Sequence, residues 1–177
     1  MTLKDVNAAI EPSLFTEIVE CLDDLVRVYR SLLDIVRREK EILIASKLDE
    51  LNENNKSKDA MLLRIRSLEN TRMKCARDLA AAVGADVEQP RLLDIAIHCQ
   101  LDQSNRLRNL HATLELLVRR VAEVNKANEE LVQAALSSIT GAMEAIRDGL
   151  RPKPVYGKQG GIASQHNDAG HLVRKEF

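Results

Sequence analysis

From Ser104 to Thr140 the chain carries neither glycine nor proline. Within that run Leu107, Leu110, Leu114, Leu117, Val121, Val124, Asn128, Leu131 and Ala135 recur at spacings of three and four. That is the period of one helix face. A helix carried from Ser104 to Gly149 is about 65–70 Å long at about 1.5 Å per residue, and the rest of the chain must be organised around it. Asn128 is the one polar break in the seam, with Asn125 one turn before it. A second stripe then begins: Val132, Leu136, Ile139, Met143, Ile146 and Leu150. The first stripe is expected to be core and the second a surface for a partner.

Composition narrows the fold further. Of 177 residues only 2% are aromatic, and there is no tryptophan. The core must therefore be Leu, Ile, Val, Ala and Met, which favours helix on helix over a sandwich or barrel. Charged residues are 30% of the chain, yet the formal net charge is −1, which does not suggest a nucleic-acid partner. Cys21, Cys75 and Cys99 are odd in number, far apart and in no Cys-x-x-Cys pair. They read as buried thiols of a reducing cytosol. A basic segment followed by an apolar one does not open the chain, so no signal peptide is expected. The uncharged runs are too short and polar for stable membrane insertion.

Three sections follow: a leader over 1–12, a helical body over 13–150 and a flexible tail over 151–177. Pro12 and Ser13 supply start signals for a first helix to about Ala45. Its seam is Phe15, Ile18, Leu22, Leu25, Tyr29, Leu32, Val36 and Leu43, interrupted by Glu39. Flanking rows widen this face beyond a two-stranded seam and call for neighbours on two sides. Ser46 with Asp49 reads as a capping box that restarts the chain. The second helix then runs to about Val83, closed by Gly84 as a C′ residue. Its stretch Asn52–Asp59 is polar throughout and is expected to be exposed helix. Leu62, Ile65, Leu68, Ala76, Leu79 and Val83 restore its apolar face. Pro90 opens a short helix that either ends near Cys99 or bends directly into the long one. Pro152 and Pro154 stop the long helix. The expected architecture is all-α: an elongated antiparallel bundle of three long helices plus a short one, with a flexible C-terminal tail.

Catalytic constellations are scarce. His98 and Cys99 are adjacent and point apart on a helix. His111 stands alone among leucines. His166, Asp168 and His171 suit weak adventitious metal contact at most. No Glu-x-x-His pair, phosphate loop or Gly-x-Ser-x-Gly elbow occurs, so no enzyme, cofactor or metal site is expected. Asn125 and Asn128 have two readings. They are a register-setting pair within the bundle, or they bond the backbone of an incoming segment. Tyr156 sits in a basic tail with five basic residues against two acidic ones. An aromatic there is either incidental or an anchor for docking.

The chain resembles the FlgN family of flagellar export chaperones. The resemblance rests on Asn125-x-x-Asn128-x-x-Leu131, on Tyr156-Gly157-x-x-Gly160 after the helix, and on Leu48, Leu51, Lys58, Leu62, Leu68, Arg72 and Leu79 closed by Gly84. It covers about 20 to 163. It implies a cytoplasmic, non-enzymatic chaperone that holds C-terminal segments of hook–filament junction proteins, prevents premature assembly and delivers them to the flagellar export gate. On that reading Asn125, Asn128, Val132, Leu136, Ile139, Met143 and Ile146 form the client face. Tyr156, Gly157 and Gly160 form the segment that docks at the gate. The alternative is a coiled-coil adaptor that forms a homodimer through its apolar face.

Overall fold

A computed structural model describes residues 12–150 and the backbone of 155–156 and 162–163. Four helices follow one another: α1 Pro12–Ile44, α2 Leu48–Val83, α3 Leu92–Ile97 and α4 Leu101–Leu150. Two short strands, β1 Val155–Tyr156 and β2 Ile162–Ala163, pair antiparallel with Val155 opposite Ala163 and Tyr156 opposite Ile162. The all-α architecture is as the periodicity requires. The leader and the rest of the tail lie outside the described residues. The chain groups into two units, Met1–Gln133 and Ala134–Phe177, with the boundary inside α4.

In the first unit, bonds between helices fix their directions. The Cys21 thiol donates to the Leu68 carbonyl (3.4 Å), and the Asn54 amide donates to the Ile35 carbonyl (3.3 Å). Partners ascend on α1 as they descend on α2, so the two are antiparallel. Arg106 meets Asp23 at 2.6 Å, and the Asn128 amide meets the Val36 carbonyl at 2.9 Å. This stretch of α4 therefore runs parallel to α1. The wide face of α1 is covered on both sides, and Ile18, Leu22, Leu25 and Val36 are fully buried with Leu79, Ile95 and Leu107.

The turn between α1 and α2 corrects the expected capping box. Ser46 does not cap α2; it ends α1 in the left-handed region, at φ +56°. Its N–H donates to the Leu43 carbonyl and the Lys47 N–H to the Ile42 carbonyl, both at 3.2 Å. This is the paired C-terminal closure usually made with glycine at that position. Lys47 precedes α2 with no side-chain cap. Serine at positive φ is strained relative to glycine. Ser46→Gly is expected to stabilise the fold by about 0.5–1 kcal/mol, seen as a higher urea midpoint at unchanged slope. At the end of α2, Gly84 takes the left-handed conformation directly, at φ +73°.

The core face of α2 also departs from expectation. Leu62 is 47% exposed, and Met61 packs in its place. The inward row runs through Asn54, Lys58, Met61, Ile65 and Leu68, so the supposedly exposed polar stretch supplies two members of the seam. The short helix ends before the long one starts. His98 and Cys99 N–H groups close onto Ile95 and Ala96 carbonyls, and α4 begins at Leu101.

Candidate functional site

The first stripe of α4 enters the core as far as Asn128. Leu107, Leu110 and Val121 are buried, and Leu114, Leu117 and Val124 are half-buried. Its last two expected members, Leu131 and Ala135, are exposed. From Glu129 to Leu150 every residue of α4 is exposed. Val132 is 38% exposed, and Leu136, Ile139, Met143 and Ile146 range from 54 to 67%.

At 3.6 residues per turn those side chains and Leu150 fall within an arc of about 80°. No charged residue occurs between Glu130 and Glu144. Two of the three hydroxyls in this window turn inward to the helix: Ser138 donates to the Ala134 carbonyl (3.0 Å) and Thr140 to the Leu136 carbonyl (2.9 Å). They therefore offer little polarity to the surface. A contiguous exposed apolar strip of this kind is the usual mark of an interaction surface.

Where the first stripe ends, three helices share a buried polar junction. Asn128 is 4% exposed. Its amide NH₂ donates to the Val36 carbonyl at 2.9 Å and to Glu39 Oε2 at 3.2 Å. The same Glu39 oxygen accepts from Lys58 Nζ at 2.8 Å. Thus the single polar break in the α1 seam meets the single polar break in the α4 seam, and a lysine from α2 neutralises the pair. Asn54, on the turn before Lys58, bonds α1 as well. The Oδ1 atoms of Asn125 and Asn128 are buried without a protein partner. Asn128 is therefore committed inside the bundle, while Asn125 is half-buried at its edge. Sequence reading placed Asn54 and Lys58 in an exposed stretch because it sorted by polarity. Their spacing of three and four with Met61 and Ile65 was the available signal.

Other candidates do not assemble. His98 is exposed, and the neighbouring Cys99 thiol donates to the Ile95 carbonyl at 3.2 Å. Among the described residues no group of three or more His, Cys, Asp or Glu is placed to hold a metal. Burial pushes all three thiols above their ordinary range, Cys21 to about 11. They are poor nucleophiles near neutral pH. Between α2, α3 and α4 lies an open groove of about 910 Å³, floored by Met73, Leu92, Leu93, Leu114 and Val118. Its edge carries arginines and carboxylates together and so favours neither sign of ligand. Among the described residues no helix is long and apolar enough to cross a membrane. Tyr156 is described only as backbone in β1, and Gly157 and Gly160 lie outside the described residues.

Among the described residues, a helical body carries an exposed apolar helix face and no cluster of His, Cys, Asp or Glu placed to hold a metal. The chain matches the family model described as FlgN protein over residues 14–164 and belongs to the FlgN family. Comparison with curated proteins and with solved structures gave no match. The family is one of chaperones, and membership gives the chain a general role in flagellar export.

Proposed function

We propose that this protein is a cytoplasmic chaperone for hook–filament junction proteins. It holds their C-terminal segments on the exposed face of α4, keeps them unassembled and hands them to the type III export gate. One observation carries the reading: Val132, Leu136, Ile139, Met143 and Ile146 form an uninterrupted exposed strip on one helix. A client would lay an amphipathic helix along it, as in helix-in-groove recognition. Met143 gives the strip a flexible side chain suited to clients of differing shape. Asn125, half-buried, precedes this strip on the same helix and is included in the client face. Asn128 supports it from within.

The test is calorimetric titration of the chain with synthetic C-terminal segments of junction proteins. The expected result is 1:1 binding with a negative heat-capacity change, the signature of apolar burial. Absence of binding by every junction segment at 100-fold excess rejects the reading.

Docking at the gate is assigned to a separate segment, Tyr156-Gly157-x-x-Gly160. A tyrosine between a Pro-containing basic stretch and glycine offers a large contact area on few rotors. Tyr156→Ala is expected to lower gate binding at least tenfold and leave client affinity unchanged. The check is to titrate client and gate separately against the variant. A rise in client affinity would show instead that the segment competes for the strip, and no change in either titration would reject a role for Tyr156.

A further inference from the structure

We propose that the exposed strip of α4 is self-complementary and pairs antiparallel with the same strip of a second copy when no client is bound. This goes beyond the client reading and does not depend on it. The strip residues Val132, Leu136, Ile139, Met143, Ile146 and Leu150 are spaced four, three, four, three, four. That order reads the same in both directions. A two-fold axis beside Gly141 therefore superposes the whole strip on itself, with Val132 against Leu150, Leu136 against Ile146 and Ile139 against Met143.

The flanks select the second copy and its direction. In a coiled coil, charges beside the seam choose the partner. Here one flank is Ala135, Ala142 and Gly149, and the other is Gln133, Thr140 and Arg147. In an antiparallel pair each flank faces its own counterpart. Ala142 then meets Ala142 of the second copy, and Ala135 meets its Gly149. Three small residues, one every seventh position on one flank, let the two helices approach closely enough for the large seam residues to interlock. On the other flank Gln133 faces Arg147 of the second copy, and Thr140 faces Thr140. No like charges meet anywhere along the strip. A parallel pair would place the small flank against the bulkier one and lose this approach.

The paired length is about 27 Å, 18 residues of rise. Such a pair sits at the small end of specific interfaces, where association is weak and exchangeable. A client helix therefore displaces the second copy, and free subunits keep the apolar strip covered.

The test uses the full chain. Sedimentation at rising concentration is expected to show a monomer–dimer equilibrium, with dissociation on the order of micromolar. Ala142→Cys places a thiol on the axis and leaves the seam intact. Under mild oxidation it is expected to give a disulfide-linked dimer that the parent chain, with its three native thiols, does not give. A parallel pair puts these two positions on opposite sides and yields none. Ala142→Arg is expected to weaken dimerisation at least tenfold while circular dichroism stays unchanged. A monomer at every concentration, or a dimer in which Ala142→Cys fails to link, overturns the proposal. Neither outcome bears on whether junction segments bind. Conversely, a dimer that ignores junction segments would reject the chaperone reading and leave this one standing.

Discussion

Replacing Ile139 and Met143 together by aspartate will abolish client binding and leave the helices intact. Both side chains are more than half exposed, at 58% and 67%. Their loss therefore removes little core. Aspartate in a helix interior is less favourable than these residues by only a few tenths of a kcal/mol each. In a client complex, however, the two carboxylates would be buried against apolar side chains with no partner. Each such burial costs several kcal/mol unless the group protonates or stays wet. The expected loss of client affinity is at least about 1,000-fold, equivalent to roughly 4 kcal/mol. The thermal midpoint should move by no more than a few degrees, since about 1 kcal/mol shifts a domain of this size by roughly 2–4 °C. Circular dichroism and a client titration on the same sample check both halves. A variant that unfolds would show the strip to be structural, and one that binds normally would move the client elsewhere on the chain.

The reason this strip was legible in the sequence is that helix period alone marks a face. It does not say which face is covered. The two stripes of α4 are equally apolar, and the change of direction after Asn128 was the one clue that separated core from surface. That clue placed the end of the first stripe too late, at Ala135, whereas burial stops at Asn128. The same logic succeeded on α1, whose broad face needed neighbours on both sides and has them. It failed on α2. There Leu62 was assigned inward because it is leucine, while the register carried Asn54 and Lys58 in and turned Leu62 out. A helix cannot choose its residues one at a time. Once Ile65, Leu68, Ala76 and Leu79 fix the phase, whatever stands at the earlier positions is carried inward, and a polar residue there must find a partner.

Ser46 was misread for a different reason. Serine at the boundary between two helices fits the start of the second as well as the end of the first. The choice depends on φ, and serine is unusual at +56°. No propensity argument would assign it there when three residues must both close α1 and start α2. Glu39 and Asn128 present the opposite case. Each was visible as an interruption of its own seam, but nothing in the sequence linked positions so far apart. Packing made them partners: the bundle brings both into one layer, where the amide donates to the carboxylate and Lys58 and the Val36 carbonyl complete the set.

That junction is where the next largest effect is expected. Asn128→Asp will destabilise the fold by about 3–5 kcal/mol at pH 7, the range for leaving a buried charge uncompensated. The native amide donates to both the Val36 carbonyl and Glu39. A carboxylate donates to neither. It would face the Glu39 carboxylate at about 3 Å, with Lys58 as the one cation shared between them. The sign of the pH dependence follows. Repulsion and burial raise the pKa of the introduced carboxyl in the folded state above its unfolded value near 3.9. Folding then takes up a proton, so the penalty is full above the raised folded value. It shrinks as the pH falls from there towards about 4, where the carboxyl is protonated in both states and again donates a hydrogen bond. Asn128→Leu is the control. It removes the unpartnered Oδ1 along with the donors, and the Val36 carbonyl keeps its own helical bond. Removing one partner is cheap only where the groups left behind keep other bonds, as the Val36 carbonyl keeps its helical bond and Glu39 keeps Lys58. That variant should lose no more than about 1 kcal/mol and show no added pH dependence. Urea melts of both variants from pH 4 to 8 decide the matter. Equal losses at all pH values would mean that the amide acts through its shape, whereas a deficit confined to aspartate and relieved by acid would identify charge at the junction as what the asparagine avoids.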